Sequence, residues 1–263
     1  MRAIDALREL SELTASQWGM VTTAQAVSRG ITRMHLTRLV KEGQIERLGH
    51  GVYRDAGAPT DRLSGVKAAW LSIDPTLTAE ERLLAPSPDA VVSGTTATYV
   101  LDLGDLVPEP YEFMTPSRRQ TQRDGIVFRT TKLSPQSITI RDGLPVTTPE
   151  QTIADLIERR IDKTLVADVF ADVDSFNRQQ LVDLLAPLAL RNGFRRNDGE
   201  AFCAEMERLA HRDMGSLVSV PIFPCPRGFG KATTRRIPKA PNPEVKPRQI
   251  RKLESFAEAQ YEE

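Results

Sequence analysis

The stretch TTAQAVSRGITRMHLTRLVKEG, residues 22–43, contains two short helices and the turn between them. Thr22-Thr23-Ala24-Gln25 is a capping box, in which a Thr hydroxyl accepts from the helix start and a Gln three residues on reaches back. The helix that follows runs to Arg29 and stops at Gly30, a residue suited to a left-handed stop. Ile31 is a buried-type residue in the turn, and Thr32 is a good N-cap for the next helix. Leu36, Leu39 and Val40 then fall at i, i+3 and i+4, forming one apolar face. Gly43 ends this second helix. Two helices joined by so short a glycine-containing turn form a helix-turn-helix signature.

The flanking sequence completes a small domain. Upstream, Ile4, Leu7, Leu10 and Leu13 give a first helix over residues 3–13, and an extended piece, Met20-Val21, follows Gly19. Downstream, two extended runs, Gln44–Leu48 and Val52–Arg54, are separated by Gly49-His50-Gly51, a hairpin loop with glycines where positive φ is needed. Helix, helix-turn-helix, hairpin is the order of a winged helix. One detail fits poorly: Ile45 and Leu48 are three apart, a spacing that a bulge at the hairpin entry would reconcile.

Winding the helix after Thr32 at 100° per residue turns Leu36, Leu39 and Val40 inward. The opposite side carries Met34, Thr37, Arg38 and Lys41, with Arg33 at the leading edge. Arg can make a bidentate contact with guanine, and Thr can meet a base edge or a thymine methyl. The N-terminal residues of such a helix enter the groove first, which leaves Lys41 for a phosphate. The hairpin adds Arg47, His50 and Arg54, which track the backbone and position the module. The expected partner is double-stranded DNA. The plainer alternatives are a solvated helix face and a winged helix that contacts only protein.

Gly57-Ala58-Pro59-Thr60 reads as a linker, and beyond it the pattern changes. Helices are expected over 66–71, 78–84, 94–101, 149–159, 163–173, 175–190 and 199–213. Strands are expected over 90–92, 111–114, 126–130 and 144–147. Ser93 is expected to cap the helix through Leu101, and Thr148 to Gln151 to form a second capping box. The expected fold class is therefore α+β. Residues 1–62 form a winged helix-turn-helix, residues 63–220 a mixed α/β domain, and residues 221–263 a flexible tail rich in Pro, Lys and Arg. In that tail Phe223 and Phe229 are the apolar anchors, and residues 250–261 have the pattern of a short helix. Its cations, Arg235, Arg236, Lys239, Lys246 and Arg248, suit phosphates, an acidic protein, or simple solubility.

With 40% hydrophobic and 27% charged residues, the composition is that of an ordinary globular protein. The chain is electrically neutral overall but not locally. Residues 1–62 carry 9 basic against 7 acidic side chains, residues 63–220 carry 17 against 23, and residues 221–263 carry 9 against 5. A basic stripe can bind phosphates on a neutral protein, because charges are screened over only about 8 Å at physiological salt. No apolar run is long enough to span a membrane. The first ten residues alternate charged and apolar side chains, unlike a signal peptide, so a cytoplasmic protein is expected.

No enzyme, cofactor or metal is expected. Cys203 and Cys225 have no C-x-x-C spacing, and His211 follows Cys203 without a fourth ligand. Asp168, Asp172 and Asp174 cluster, but the first two are i, i+4 on an exposed face and Asp174 reads with Ser175 as a cap. Pro88-Asp89 lacks a following Glu-x-Lys. No Gly-rich phosphate loop or G-x-S-x-G is present. The three histidines, His35, His50 and His211, have no neighbouring nucleophile with an orienting acid.

Residues 21–54 resemble the N-terminal domain of AbiEi-family antitoxins, through Val21-Thr22-Thr23, Gly30-Ile31-Thr32, Gly43, and the run from Arg47 through Gly51-Val52-Tyr53 to Arg54. Val92-Ser93-Gly94-Thr95-Thr96-Ala97 and Asp142-Gly143-Leu144-Pro145-Val146-Thr147-Thr148-Pro149-Glu150-Gln151-Thr152-Ile153-Ala154-Asp155-Leu156 resemble segments of the family's second domain. The resemblance implies a transcriptional autorepressor whose winged helix binds promoter repeats. It also implies an antitoxin whose partner is an AbiEii-like nucleotidyltransferase toxin, bound directly in some such systems and not in others. Read as residues alone, 142–156 is an architectural strand–turn–helix junction, in which Pro145 limits its strand to an edge or a short one. Two other readings are a winged-helix regulator whose second domain senses a small ligand, and a nuclease with a DNA-targeting module.

Overall fold

The computed structural model describes residues 3–216. Residues 217–263, with the expected tail, Cys225 and the 250–261 helix, lie outside them. The fold class is α+β, as expected.

The first lobe begins with α1 (Ala3–Ala15), β1 (Met20–Thr22), α2 (Thr23–Ser28) and α3 (Arg33–Lys41). Strands β2 (Ile45–Gly49) and β3 (Val52–Asp55) close it. Thr22 and Gln25 make the predicted capping box on α2. The three strands form an antiparallel sheet in the order β1-β3-β2. Its register shifts between Arg47 and Gly49, so Leu48 is the extra residue of a bulge. The awkward spacing of Ile45 and Leu48 has a further cause: the two side chains serve opposite faces. Ile45 joins Leu10, Ile31, Leu36 and Leu39 in the first lobe's core, whereas Leu48 packs on the core of the second lobe.

The whole small sheet follows that division. Val21 and Tyr53 point to the helices of the first lobe, while Met20 and Val52 point to the second. Successive side chains in a strand alternate between faces, so one sheet can close two cores. Met20, Val21 and Val52 are each 1% exposed.

The second lobe starts with α4 (Ser64–Leu71) and α5 (Ala79–Leu83). A five-stranded sheet follows, of β4 (Val91–Val92), β5 (Tyr111–Thr115), β6 (Ile126–Thr130), β7 (Ile138–Arg141) and β8 (Leu144–Thr147). Its order is β6-β5-β4-β8-β7. Pairs β5–β6 and β4–β8 are parallel, and the other two are antiparallel. Strand β7 is not among the strands expected from the sequence. Asp142 and Gly143, with φ of 52° and 77°, make the tight turn that pairs it to β8. Strand β8 is short, as Pro145 requires, but it lies inside the sheet. Interior placement is possible because β4 is only two residues long and meets β8 through Val92 and Val146, not through Pro145.

Helices α6 (Gly94–Leu101), α7 (Pro149–Glu158), α8 (Lys163–Ala171), α9 (Arg178–Leu185) and α10 (Gly199–Ser216) complete the lobe. A third core joins α7 to α10 through Leu156, Phe170, Leu181, Phe202 and Met206. Three local expectations are corrected. Helix α9 spans less than 175–190, because Asn177 caps it and Pro187 breaks it into 3-10 turns. The Ser93 hydroxyl makes no cap bond. Thr148 caps α7, but Gln151 bonds Asp155 instead of reaching back.

The boundary read near residue 62 is bridged by packing, and the described residues on both sides of it belong to one compact unit. Trp18 of the first lobe meets Trp70 edge to face, with centroids 6.2 Å apart. It also covers Gly143, where a Cβ would come within 2.8 Å of the indole. Gln17 and Gln25 bond each other and reach into the second lobe. The Ala79 amide donates to Gln17 Oε1 at 3.2 Å, and Gln25 Nε2 donates to the Leu77 carbonyl at 2.7 Å. Met20→Ala is therefore expected to cost ~2–4 kcal/mol and to destabilise both lobes together. Urea unfolding followed by tryptophan fluorescence and by circular dichroism should give coincident curves. Separate transitions would show that the sheet does not couple the lobes.

Candidate nucleic-acid interface

Helix α3 is held from beneath and bare above. Leu36 is fully buried and Leu39 is 1% exposed, which fixes its inner stripe. Thr32 Oγ1 accepts from the His35 amide at 3.3 Å, and His35 Nδ1 accepts from the Thr32 amide at 3.2 Å. His35 thus fills the position that Glu or Gln usually takes in a capping box, and it must keep Nδ1 unprotonated to do so.

The outer stripe carries the predicted residues. Arg33, Met34, Thr37, Arg38 and Lys41 are all exposed, Met34 at 79%. Arg33 and Lys41 have no ion-pair or side-chain hydrogen-bond partner among the described residues. Thr37 Oγ1 donates back to the Arg33 carbonyl at 3.0 Å. Arg38 Nε donates to Glu42 Oε1 at 2.8 Å, and that contact raises the pKa of the guanidinium. The ion pair uses Nε, and the Arg38 side chain remains 68% exposed. Arg47 and His50 are exposed on the hairpin, with Arg47 Nε donating to the Gly49 carbonyl at 3.1 Å.

Arg54 does not belong to this surface. It lies on the sheet face turned toward α4, where its side chain is 9% exposed. It pairs with Glu46 across β2–β3 and reaches Ser64 Oγ at 3.5 Å. A buried cation already paired with a carboxylate is not available to a ligand. The expected outward position of Arg54 is corrected by the alternation of faces: Tyr53, not Arg54, shares a side with Val21.

Sequence reasoning also misses three arginines. Arg118, Arg119 and Arg123 lie between β5 and β6, and Arg123 borders an open groove that the hairpin residues Leu48, Gly49 and His50 also line. The Ser117-Arg118-Arg119 run is visible in the sequence, but the nearness of Arg123 to the hairpin depends on how the two lobes pack.

In the second lobe α6, β5 and the end of α7 meet in a buried polar cluster. The Glu112 carboxylate pairs with Arg159 over Gly94, whose φ is +56° and whose Cβ, if present, would strike both partners. Thr95 Oγ1 donates to Glu112 Oε1 at 3.1 Å. Nearby on α7, Asp155 is 4% exposed and accepts from Gln151 Nε2 at 2.7 Å. Burial, more than any neighbour, pushes its carboxyl up to about 7; Gln151, Arg129 and Arg159 pull down and Glu158 pushes up.

The side chains whose types suit metal or nucleophilic chemistry have structural partners. Asp89 forms a fork with Arg82, at 2.9 and 3.1 Å from Nη2. Asp172 Oδ2 accepts from the Gly104 amide at 2.9 Å. Burial raises the pKa of the Cys203 thiol to about 11, which disfavours the thiolate. Among the described residues no group of three or more His, Cys, Asp or Glu side chains is arranged to hold a metal. No described helix is long and apolar enough to cross a membrane.

Residues 8–54, which include the bare helix α3 and most of the hairpin, match a family of transcriptional regulators. The family is the AbiEi antitoxins, described as transcriptional regulators, so the resemblance read from residues 21–54 is borne out. No curated protein matches the chain. Among solved structures, the chain is similar to the RV2827C protein from Mycobacterium tuberculosis. The two are 16% identical, with 83% of each chain covered and a TM-score of 0.49.

The Asp155 carboxyl titrates near its usual 3.8 in the unfolded chain and at about 7 in the fold. Between those values the folded state binds the extra proton, so Asp155 makes stability fall as pH rises through that window. Asp155→Asn mimics the protonated form and should remove this loss. Melting temperatures of the variant and the parent should diverge from pH 5 to pH 8, with the variant the more stable at the higher pH. A constant difference across that range would assign Asp155 an ordinary titration.

Proposed function

We propose that this protein is a DNA-binding antitoxin that represses its own operon and counteracts a cognate nucleotidyltransferase toxin. In this reading residues 1–62 are a winged helix-turn-helix. Helix α3 enters the major groove, the β2–β3 hairpin is the wing, and residues 63–220 carry the antitoxin activity. The protein acts in the cytoplasm, without enzymatic activity or a cofactor of its own. The carrying observation is the outer stripe of α3, with Arg33, Arg38 and Lys41 all exposed while Leu36 and Leu39 anchor the helix from behind.

The roles divide by position. Arg33, Met34 and Thr37 lie in the first half of the helix, which meets base edges. Arg38 offers its fork to a guanine, and Lys41, Arg47 and His50 reach phosphates.

A gel-shift at fixed salt on the DNA upstream of the chain's own reading frame tests this. Arg38→Ala should weaken binding by ~1–3 kcal/mol and relax the sequence preference. Unchanged affinity would remove Arg38 from the interface, and no binding by the unaltered chain would defeat the proposal. Glu42→Gln should act in the opposite direction. Releasing Arg38 from an exposed ion pair should tighten binding slightly, because such pairs are weak.

A further inference from the structure

Strands β5 and β6 are parallel neighbours, in register from Tyr111 opposite Ile126 to Thr115 opposite Thr130. A chain that leaves β5 at Thr115 must therefore travel back along the whole strand before β6 can begin. Such returns usually take a dozen or more residues and contain a helix. Here residues 116–125 make the return with no helix. The connection is stretched beside the C-terminal end of α4, and its arginines hold it there. Arg119 Nη1 donates to the Ile73 carbonyl at 3.1 Å, and Arg123 Nη1 donates to Ser72 Oγ at 2.7 Å.

The charge of this strip is opposite to that of its lobe. Residues 116–132 contain Arg118, Arg119, Arg123, Arg129 and Lys132 against Asp124 alone, within a lobe that is otherwise acidic. Arg119 gives part of its charge to Asp89 at 3.5 Å. Arg123 is tied only to a neutral hydroxyl, and Arg118 has no ion-pair or hydrogen-bond partner among the described residues. At one end the strip reaches the hairpin. Arg123 and Gly125 share a groove of about 340 Å³ with Gly49 and His50, and α4 contributes Ala68 and Ala69 to its lining.

We infer that residues 116–125 are a second phosphate-binding strip, which holds the DNA backbone flanking the duplex that α3 and the hairpin engage. The inference rests on the DNA-binding reading above and extends it into the second lobe. Wings commonly lie along the backbone, so cations beside the wing face the next phosphates of the same strand. Duplex DNA presents one negative charge per ~1.7 Å of axis, and an extended row of cations matches such a polymer. A protein partner fits less well. The segment Pro116-Ser117-Arg118-Arg119-Gln120-Thr121-Gln122-Arg123-Asp124-Gly125 offers no large apolar side chain, whereas protein interfaces are built around an apolar core.

The test uses the full chain and compares it with Arg118→Ala/Arg123→Ala and with Arg118→Lys/Arg123→Lys. Binding of a labelled upstream duplex and of a random duplex is measured by anisotropy over a series of salt concentrations. The alanine pair should lower the slope of log K against log salt by about 2, roughly one for each phosphate no longer neutralised. Both duplexes should weaken alike, since the strip reads no bases, and the lysine pair should restore the parent slope. An unaltered slope in the alanine pair, with Arg38→Ala still impaired, would overturn the strip and leave the DNA-binding reading intact. So would an alanine pair that binds DNA normally but loses an acidic protein partner. A parent chain that binds neither duplex would overturn the DNA-binding reading and the strip together. Equal melting temperatures of the three proteins attribute any weakening to the interface and not to folding.

Discussion

The burial of one small sheet on both of its faces governs the arrangement of the rest. A three-stranded sheet with a single buried face would make the first lobe a separable module. Here Val21 and Ile45 close the core beneath α3, and Met20, Val52 and Leu48 close the core over α4. Neither core is complete without the strands it shares. Polar groups also bridge the seam: Gln17 and Gln25 meet backbone groups of residues 77 and 79, and Arg54, paired with Glu46, reaches Ser64. Buried polar groups satisfied across a seam favour one relative placement of the lobes over others.

That fusion has a functional consequence. Helix α3 rests on Leu36 and Leu39, which rest on Val21 and Ile45, whose strands are clamped from behind by the second lobe. The cationic stripe is thus carried on a rigid base, and less ordering cost remains to be met on binding. The hairpin loop is positioned by the same sheet and abuts the second lobe at the groove bordered by Arg123. An event in the second lobe that moved α4 or the β5–β6 connection would reach the hairpin through direct packing, with no linker to absorb it.

Much of this is legible in the sequence where the signal is local. Capping residues Thr22, Thr32 and Thr148, the glycine stops and the apolar face of α3 are read within one or two helical turns, and each is found in the structure. The misspaced Ile45 and Leu48 are the sequence's trace of the sheet's double role. A strand that serves two cores lacks the simple alternation that marks a half-exposed strand, so Arg54 reads as facing outward when it is buried. Strand β7 escapes notice because its residues are half-buried or exposed, and only its partner β8 carries an apolar run. The burial of Asp155 is partly visible, since it lies beside Ile153 and Leu156 on α7. Arg159, four residues on at the end of α7, is equally local, whereas Arg129 on β6 comes near Asp155 only through the tertiary fold. The course of the arginines of residues 116–125 is hidden because it is set by the parallel pairing of β5 with β6, which no local pattern reveals.

Native-state hydrogen exchange on the full chain tests the central claim most directly, because it resolves the stability of each strand separately. If the small sheet closes both cores, the amides of Val52 to Asp55 should exchange only through global unfolding. Their opening free energy and denaturant dependence should equal those of buried amides in β8 and α4. Exchange of β1 to β3 through a lower-energy opening of the first lobe alone, while β8 and α4 stay protected, would contradict the account.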